Sequence, residues 1–296
     1  MSTKYVNGYE ILPSKFDPSI NFSKATNDGG MIETRFVQRL KERFIVYISS
    51  MSGCDKACRF CHLTQTGQTM AMNLTREQML EQAETVLSSA VYPEAKTVHY
   101  NFMARGEPMT NPMVNKHLFH DLKLAAEKRG LFPRIKISSI LPTDFHAFDP
   151  AVLWDESSPA IDFYYSLYNT DQAWRKRWIP KALQPQEALA WLAKWQQVTG
   201  NRVILHWALI DGENDSEDNA REAARLANEA GLNWDFNLVR YNPANDKSKE
   251  ASDDQIERFL SVLRSEVSDA NRVKVIPRVG FDVKASCGMF LTPEAA

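Results

Sequence analysis

Three of the four cysteines in this chain of 296 residues lie close together, at Cys54, Cys58 and Cys61. Thiolates at this spacing can all face one soft metal centre, and sulfur ligands suit zinc and iron–sulfur clusters. Three cysteines can hold a 4Fe–4S cluster while one iron stays open for a ligand from elsewhere. The spacing therefore predicts an iron–sulfur enzyme.

The neighbouring His62 leaves an alternative open. Cys54, Cys58, Cys61 and His62 could form a Cys₃His zinc site, because zinc accepts these ligands. Structural zinc sites usually combine two ligand pairs that are separated by a dozen or more residues, and the sequence has no second pair. The cluster is thus the preferred interpretation, and a zinc-stabilised binding module is the non-enzymatic alternative.

The composition is that of a globular protein, with 44% hydrophobic and 24% charged residues and a formal net charge of −2. A strongly basic chain would indicate nucleic-acid binding, whereas this charge balance gives no such indication. No apolar run is long enough to span a membrane, and residues 1–30 lack the apolar core of a signal peptide. Because three of the four cysteines share one site, no disulfide framework remains, which predicts the cytoplasm.

Strand and helix patterns alternate along most of the chain. Runs of β-branched and aromatic residues predict six strands, and apolar residues at helical spacing predict the helices between them. A capping box that begins at Thr75 predicts the start of the first helix. The predicted strands span residues 44–49, 97–103, 134–140, 161–167, 202–210 and 233–239, and the later helices span 113–128, 185–198, 215–230 and 253–267.

This alternation predicts an α/β fold with a parallel sheet and right-handed crossovers. Six strands are too few for a closed eight-stranded barrel, so we predict a partial (β/α)₆ barrel of the TIM type. The predicted barrel spans residues 44–270, between a short N-terminal extension (1–43) and a C-terminal segment (271–296). Chemistry in such barrels lies at the carboxyl ends of the strands, and the cysteine loop follows the first strand.

The cysteine loop, with Phe60 before its last cysteine, resembles the signature of the radical-SAM enzymes. In these enzymes the open iron binds S-adenosylmethionine and cleaves it to a 5′-deoxyadenosyl radical. Gly106 and Glu107 follow the second predicted strand and resemble the Gly-Glu motif of the same enzymes. The longer stretch Gly-Glu-Pro-x-x-Asn, which ends at Asn111, resembles one family among them. These are the RNA adenosine methyltransferases, which methylate adenine carbons in ribosomal and transfer RNA.

Shorter matches follow in the order of that family. Ser138 lies at the end of the third predicted strand, where the family has Ser-Thr, and Ser166 begins a Ser-Leu-Tyr stretch in place of Ser-Leu-His. Two later stretches also match motifs of the family. One ends at Pro243, and the other is Ala-Ser-Cys-Gly, which ends at Gly288. The resemblance therefore covers most of the chain.

The resemblance implies a 4Fe–4S cluster on the three cysteines and S-adenosylmethionine beside it. It implies a methyltransferase that acts on ribosomal or transfer RNA, with a flavodoxin- or ferredoxin-like electron donor and no membrane partner. The cofactor-binding positions that it implies are Phe60, Gly106, Glu107, Ser138, Ser166 and Asn242.

Cys287 is the fourth cysteine and stands beside a glycine near the C-terminus. An isolated cysteine is usually a small buried hydrophobe, but an accessible thiol can act as a nucleophile. The resemblance implies that Cys287 accepts a methyl group from one S-adenosylmethionine. A radical from a second molecule then abstracts hydrogen from this methyl group, and the resulting carbon radical adds to adenine.

The chain departs from the family at three places. The family has a further cysteine seven positions before the first cluster cysteine, which releases the product by forming a disulfide, and Tyr47 stands there. Tyr47 is therefore a candidate catalytic residue, although a phenol cannot form that disulfide. Tyr168 replaces a family histidine, and the N-terminal RNA-binding region is shorter.

These departures leave the substrate open. A small molecule, a free nucleotide or a peptide is the alternative to RNA, favoured by the shorter N-terminal region and disfavoured by the match through Cys287. Residues 174–178 set cations between tryptophans, which could contact phosphates and stack on bases. An amphipathic turn with a solvated basic face explains the same pattern. Trp191 and Trp195 are predicted to pack within one helix.

Overall fold

One sheet of eleven strands organises the structure, and the strands follow one another in the order of the sequence. The computed structural model describes residues 4–267 and 269–293. The first four strands are antiparallel: β1 (Tyr5–Val6), β2 (Tyr9–Pro13), β3 (Ile20–Ala25) and β4 (Met31–Leu40). The next seven run parallel to one another: β5 (Arg43–Tyr47), β6 (Thr97–Phe102), β7 (Phe132–Ser139), β8 (Ala160–Ser166), β9 (Val203–Trp207), β10 (Trp234–Val239) and β11 (Val273–Ile276).

Helices connect the parallel strands. The capping box predicted at Thr75 is present, because Thr75 accepts from the Gln78 amide while the Gln78 side chain accepts from the Thr75 amide. The helices are α1 (His62–Gln65), α2 (Arg76–Ser89), α3 (Lys116–Glu127), α4 (Gln172–Trp178), α5 (Pro185–Thr199), α6 (Glu217–Glu229) and α7 (Asp253–Ser265). Three short 3₁₀ helices span Pro108–Thr110, Pro150–Val152 and Ala270–Arg272.

The predicted partial (β/α)₆ barrel is confirmed, and the sheet stays open over the described residues. The six predicted strands correspond to β5 through β10, with ends that differ by a few residues. Strand β11 is a seventh parallel strand that the sequence pattern did not predict. It is a short strand of four residues at the sheet edge, in which Lys274 and Val275 are exposed, so it lacks the continuous apolar run of the inner strands.

Residues 4–40 extend the sheet, whereas the sequence predicted only a short extension there. Strand β4 pairs with β5, so that Arg35 lies opposite Tyr47. The apolar pattern of β4 is broken because the polar side chains of Glu33, Thr34 and Arg35 are buried within it. A strand with buried charges has no alternation of apolar and polar residues by which to recognise it.

The two faces of the barrel sheet differ in chemistry. Successive side chains of a strand point to opposite faces, and in β5 Phe44 and Val46 join the main hydrophobic core. Arg43, Ile45 and Tyr47 instead line a cavity on the inner face. We call this cavity, enclosed by the inner faces of β5–β11, the barrel chamber.

The outer face is packed with helices, as the apolar periodicity predicted. Trp191 and Trp195 of α5 are buried and stack at 6.0 Å between ring centroids, which confirms their predicted packing role. In the part of the chain that the structure describes, no helix is long and apolar enough to cross a membrane.

The segment after β11 folds back over the N-terminal strands. The Asn21 side chain donates to the Val283 carbonyl at 2.9 Å, and the Gly280 amide donates to Asp17 at 2.7 Å. These contacts bring the Cys287 loop back to the open side of the barrel. Residues 294–296 of the predicted C-terminal segment lie outside the described residues.

Candidate active site

The cysteine loop leaves β5 and returns to α1, and its three thiols line one cavity of about 110 Å³. We call this cavity the cluster pocket. The loop is tightly built, since a Cβ on Gly53 would lie 2.1 Å from the Met70 carbonyl oxygen. Only glycine therefore fits at this position. The Cys61 amide donates to the Cys58 carbonyl at 3.0 Å, which closes a turn around the pocket.

The three thiols lie in an environment that penalises their ionisation. Burial raises the pKa of Cys54 to about 12 and that of Cys61 to about 11, and the neighbouring Cys61 adds to the effect at Cys54. Burial and both neighbouring thiols raise the pKa of Cys58 well above its usual value. Buried thiolates need a cationic metal centre to compensate them. Three sulfur donors around one cavity therefore fit a 4Fe–4S cluster.

The Cys₃His zinc alternative finds no support in the geometry. Among the residues that the structure describes, no three Cys, His, Asp or Glu converge closely enough to hold a single metal ion. The His62 ring instead hydrogen-bonds through Nε2 to the Asn242 carbonyl at 3.1 Å. The cavity that the three thiols line has a volume of about 110 Å³, which is larger than a single metal ion.

Gly106 and Glu107 follow β6 and border the cluster pocket. Gly106 has φ +93°, and a Cβ there would lie 2.6 Å from the Met51 Cβ, so glycine is required. The Glu107 carboxylate accepts from the amides of Met109 at 3.1 Å and Ile140 at 3.3 Å. Burial raises the pKa of Glu107 to about 7. No ion-pair partner is present among the described side chains, so this buried acid fits the amino group of S-adenosylmethionine.

Phe60, Ser138, Ser166 and Tyr168 also line the cluster pocket. The hydroxyl oxygens of Ser138 and Ser166 lie 3.4 Å apart, and the ring centroids of Phe60 and Tyr168 lie 4.3 Å apart. The structure thus brings together five of the six predicted cofactor-binding positions. Their roles stay predictions.

Asn242, the sixth position, contacts the C-terminal loop rather than the cluster pocket. Its side-chain amide donates to the Cys287 carbonyl at 2.8 Å and to the Ser286 hydroxyl at 3.3 Å. Its Oδ1 accepts from Arg278 Nε at 2.8 Å. In this arrangement Asn242 orients the loop of Cys287, and its predicted contact with S-adenosylmethionine stays a prediction.

Cys287 and Tyr47 both line the barrel chamber. The Cys287 side chain is exposed within this cavity, and its charge interacts with that of Cys61 in the cluster pocket. The enclosing walls desolvate the thiol and raise the pKa of Cys287, while the charges of Arg35 and Arg39 act in the opposite direction. Phe290, three residues later in the same loop, lines the cluster pocket. The loop that carries Cys287 therefore borders both cavities.

Two buried arginines, Arg35 and Arg105, donate hydrogen bonds to the loop of Cys287. Arg35 donates to the Met289 carbonyl at 2.6 Å and to the Ser286 carbonyl at 3.4 Å. Arg105 donates to the Leu291 carbonyl at 2.5 Å and pairs with Glu33 at 2.6 Å. Both arginines are 1% exposed. The sequence did not predict this set, because neither arginine stands out without the contacts.

His206 is a second residue that the sequence analysis missed. Its Nδ1 lies 3.3 Å from the Ser138 hydroxyl, so it links the cluster pocket to the chamber that it lines. Burial lowers the pKa of His206 to about 4, which keeps the imidazole neutral. Its place on the inner face of β9, one residue before the end of the strand, is the signal that could have identified it.

Residues 174–178 serve packing more than recognition. Trp174 and Trp178 are buried in α4 and stack at 5.5 Å between ring centroids. Arg175 is buried too and donates to the Leu167 carbonyl at 2.6 Å. Of the cations in this stretch, only Lys176 and Arg177 face solvent, so the predicted aromatic surface for RNA bases is not formed.

The combination of fold and site identifies the class of protein. An open (β/α) barrel carries three cysteines around one pocket, and a glycine and a buried carboxylate follow the next strand. These are the features of a radical-SAM enzyme.

Comparison with known proteins identifies the family. A probable dual-specificity RNA methyltransferase RlmN from Microcystis aeruginosa is 30% identical over 268 residues, which cover 88% of this chain and 73% of the relative. Relatives of the same name from Nostoc punctiforme and Lachnoclostridium phytofermentans are each 28% identical to this chain. The first alignment covers 92% of this chain and 73% of the relative, and the second covers 96% and 76%. The chain belongs to the RlmN family of radical-SAM methyltransferases. No family model matches it.

A solved structure shares the fold. The crystal structure of a radical SAM methyltransferase from Sphaerobacter thermophilus matches with a TM-score of 0.74 and 24% identity, over 96% of this chain and 81% of that one. With its family assigned, the chain is a methyltransferase whose cofactors are S-adenosylmethionine and a 4Fe–4S cluster.

Proposed function

We propose that this protein methylates a carbon of an adenine base in RNA and carries the methyl group on Cys287. The proposal rests on the place of Cys287 in the barrel chamber, on a loop that hydrogen bonds hold and whose Phe290 lines the cluster pocket. The name of the relatives, dual-specificity RNA methyltransferase, supports RNA as the substrate.

Cys54, Cys58 and Cys61 hold the cluster in this proposal, and Glu107 accepts hydrogen bonds from the amino group of S-adenosylmethionine. When bound, the cluster and S-adenosylmethionine supply the methyl group and the 5′-deoxyadenosyl radical. Ser138 and Ser166 offer hydroxyls to the same ligand from the ends of β7 and β8.

Cys287 carries the methyl carbon to the base. Asn242 and Arg35 hold the backbone on both sides of Cys287, so the thiol is oriented before substrate arrives. Its raised pKa means that the thiol must lose its proton before it can accept a methyl group. Cys287 is therefore a thiol that is held in a fixed position, and its raised pKa makes it less reactive than a thiol free in solution.

Tyr47 stands in the chamber that Cys287 also lines. Once the methylene carbon joins Cys287 to adenine, release of the product requires a new partner for the Cys287 sulfur. The four cysteines of the chain include no second thiol for this step. Resolution in this protein therefore uses a thiol from outside the chain.

Two further expectations belong to the proposal. The protein works in the cytoplasm, where the cluster cysteines stay reduced. Electrons reach the cluster from a flavodoxin- or ferredoxin-like donor.

The test is a comparison of modified nucleosides in the RNA of a host with and without this protein. Ribosomal and transfer RNA fractions are digested to nucleosides and separated by chromatography with mass detection. We expect a methyladenosine modified on a ring carbon, which is absent when the host expresses Cys287→Ala. Equal nucleoside profiles with wild type, variant and empty host would contradict RNA methylation.

A further inference from the structure

The barrel chamber carries more positive charge than its surroundings neutralise. The cavity has a volume of about 470 Å³, and seven arginine and lysine side chains line it. Within the described part of the chain, no aspartate or glutamate belongs to its wall. The whole chain has a formal net charge of −2, so this concentration of cations is local.

Three of the seven cations have acidic partners just outside the cavity. Arg240 donates to Glu250 at 2.7 and 2.8 Å, and Arg278 shares the same carboxylate at 3.0 Å. Arg202 pairs with Asp235. These three side chains are fixed at the rim, and their charges are largely compensated.

The other four cations have no acidic partner within ion-pair distance among the described residues. They are Arg39 near the end of β4, Arg43 at the start of β5, Lys136 in β7 and Lys274 in β11. They come from strands on both sides of the open barrel and line one cavity. Arg39, Arg43 and Lys274 are exposed and Lys136 is half-buried, and all four side chains line the same space.

Lys136 lies deepest of the four. Its ammonium donates to the Tyr164 hydroxyl at 2.9 Å and lies 5.2 Å from the centroid of that ring. Burial lowers the pKa of Lys136 to about 8; Asp162 opposes this effect, and Arg43 and other arginines add to it. Asp162 is itself engaged by Arg134 at 2.7 Å. An anion in the chamber would compensate a charge that the protein leaves uncompensated.

We propose that the barrel chamber binds the phosphate group of a nucleotide, with the nucleobase directed toward Cys287. Guanidinium and ammonium groups are the side chains that recognise phosphate. Cavities of about 300–1,000 Å³ are typical of sites for small organic ligands. The direction of the base rests on the proposed function, but the phosphate site itself does not.

Strand geometry places the two ends of such a ligand. Side chains on one face of a strand are two residues apart, which is roughly 7 Å. Along β7, Lys136 lies one such step before Ser138 of the cluster pocket, and along β5, Arg43 lies two steps before Tyr47. The phosphate thus reaches toward the start of the strands while the base stays at their carboxyl ends. The ribose bridges the distance between them.

Binding of AMP and adenosine to the cluster-loaded protein tests the proposal without any methylation step. Titration calorimetry under anaerobic conditions should show AMP binding at least about tenfold more tightly than adenosine, since charged hydrogen bonds contribute this much. Salt should weaken AMP binding and leave adenosine binding unchanged. Arg43→Gln and Lys136→Met should each weaken AMP about tenfold and leave adenosine as in wild type.

Arg221→Gln is the matched control, because it removes an exposed cation of α6 that pairs with Glu217 and Asp218. It should bind both ligands as wild type does. A phosphate at the 5′ end of RNA offers the same chemical group as AMP. Binding of a trinucleotide with and without a 5′ phosphate therefore distinguishes RNA from free nucleotide as the source of the phosphate.

Equal affinity for AMP and adenosine, or wild-type AMP binding in both chamber variants, would overturn the inference. RNA methylation by a protein that fails these binding tests would leave the proposed function standing and reject the phosphate site alone.

Discussion

The exposed thiol of Cys287 lines the barrel chamber, and its loop is held by side chains from three strands or their ends. Its position beside the cluster pocket separates its role from that of the three cluster cysteines, because it is not needed to hold the metal.

Cys287→Ala should therefore separate two activities. We expect loss of methyl transfer to RNA while reductive cleavage of S-adenosylmethionine stays close to wild type, because Cys54, Cys58 and Cys61 are untouched. The measurements are 5′-deoxyadenosine formation and mass analysis of the tryptic peptide, which should carry S-methyl-Cys287 in wild type. An active enzyme whose Cys287 is never methylated would contradict this role.

Glu107 should make binding of S-adenosylmethionine depend on pH. Its pKa of about 7 means that the carboxyl group is largely neutral below pH 6 and charged above pH 8. The charged form is the better acceptor for the amino group of the ligand, so affinity should fall as the pH drops through 7.

The control is Glu107→Gln, which keeps an acceptor but does not titrate. Affinity measured from pH 5.5 to 7.5 should show wild type binding more tightly at the upper end, with the difference from the variant narrowing toward the lower end. A constant ratio between the two proteins would show that Glu107 does not titrate in this range.

Tyr47 should limit turnover. Because no thiol of the chain can take over the Cys287 sulfur, a covalent protein–RNA adduct should accumulate unless a small thiol is added. Tyr47→Cys should remove the dependence on added thiol, whereas Tyr47→Phe should not. Gel analysis of adducts with and without thiol is the measurement, and fast adduct-free turnover of wild type without thiol would contradict the prediction.

At the scale of elements, the two ends of the chain meet. Strand β4 supplies Glu33 and Arg35, the stretch after β6 supplies Arg105, and both arginines bind carbonyl groups of residues 286–291. Phe290 lies between them, with its ring centroid 5.1 Å and 5.7 Å from the two guanidinium carbons. The N-terminal strands therefore position the loop of Cys287.

Arg35→Met should release this loop. Removing one member of a buried charge network costs about 3–5 kcal/mol, so we expect lower stability and faster amide hydrogen exchange at residues 286–291. Arg129→Met, which removes a surface ion pair with Glu84, is the control and should change stability by less than about 1 kcal/mol. Unchanged exchange at 286–291 in the Arg35 variant would show that the loop is held by other contacts.

In the whole molecule, the parallel strands of the barrel were predictable because one of their faces packs against the helices. Phe44, Val46 and Ile135 place β-branched and aromatic side chains on that face, which is the pattern by which a strand is recognised. The N-terminal strands were not predictable, because β4 buries Glu33 and Arg35 in a network that exists only in three dimensions.

The residues of the site likewise divide into those that the sequence predicted and those that it did not. The cluster cysteines and Gly106-Glu107 are local motifs with fixed spacing, so the sequence predicted them. The contacts of Arg35 with Met289 and of His206 with Ser138 join residues far apart in the chain. The cationic chamber likewise collects one or two side chains from each of several strands, and no window of sequence is basic enough to reveal it.

The fate of the methyl hydrogens distinguishes transfer through Cys287 from direct transfer to the base. Purified, cluster-loaded protein is incubated with RNA and S-adenosylmethionine that carries a trideuterated methyl group, and the nucleosides are analysed by mass spectrometry. If the methyl group passes through Cys287 and loses one hydrogen there before it joins adenine, the product must carry two of the three deuterium atoms. A methyladenosine that retains all three would mean direct transfer without hydrogen abstraction, and would contradict the role assigned to Cys287.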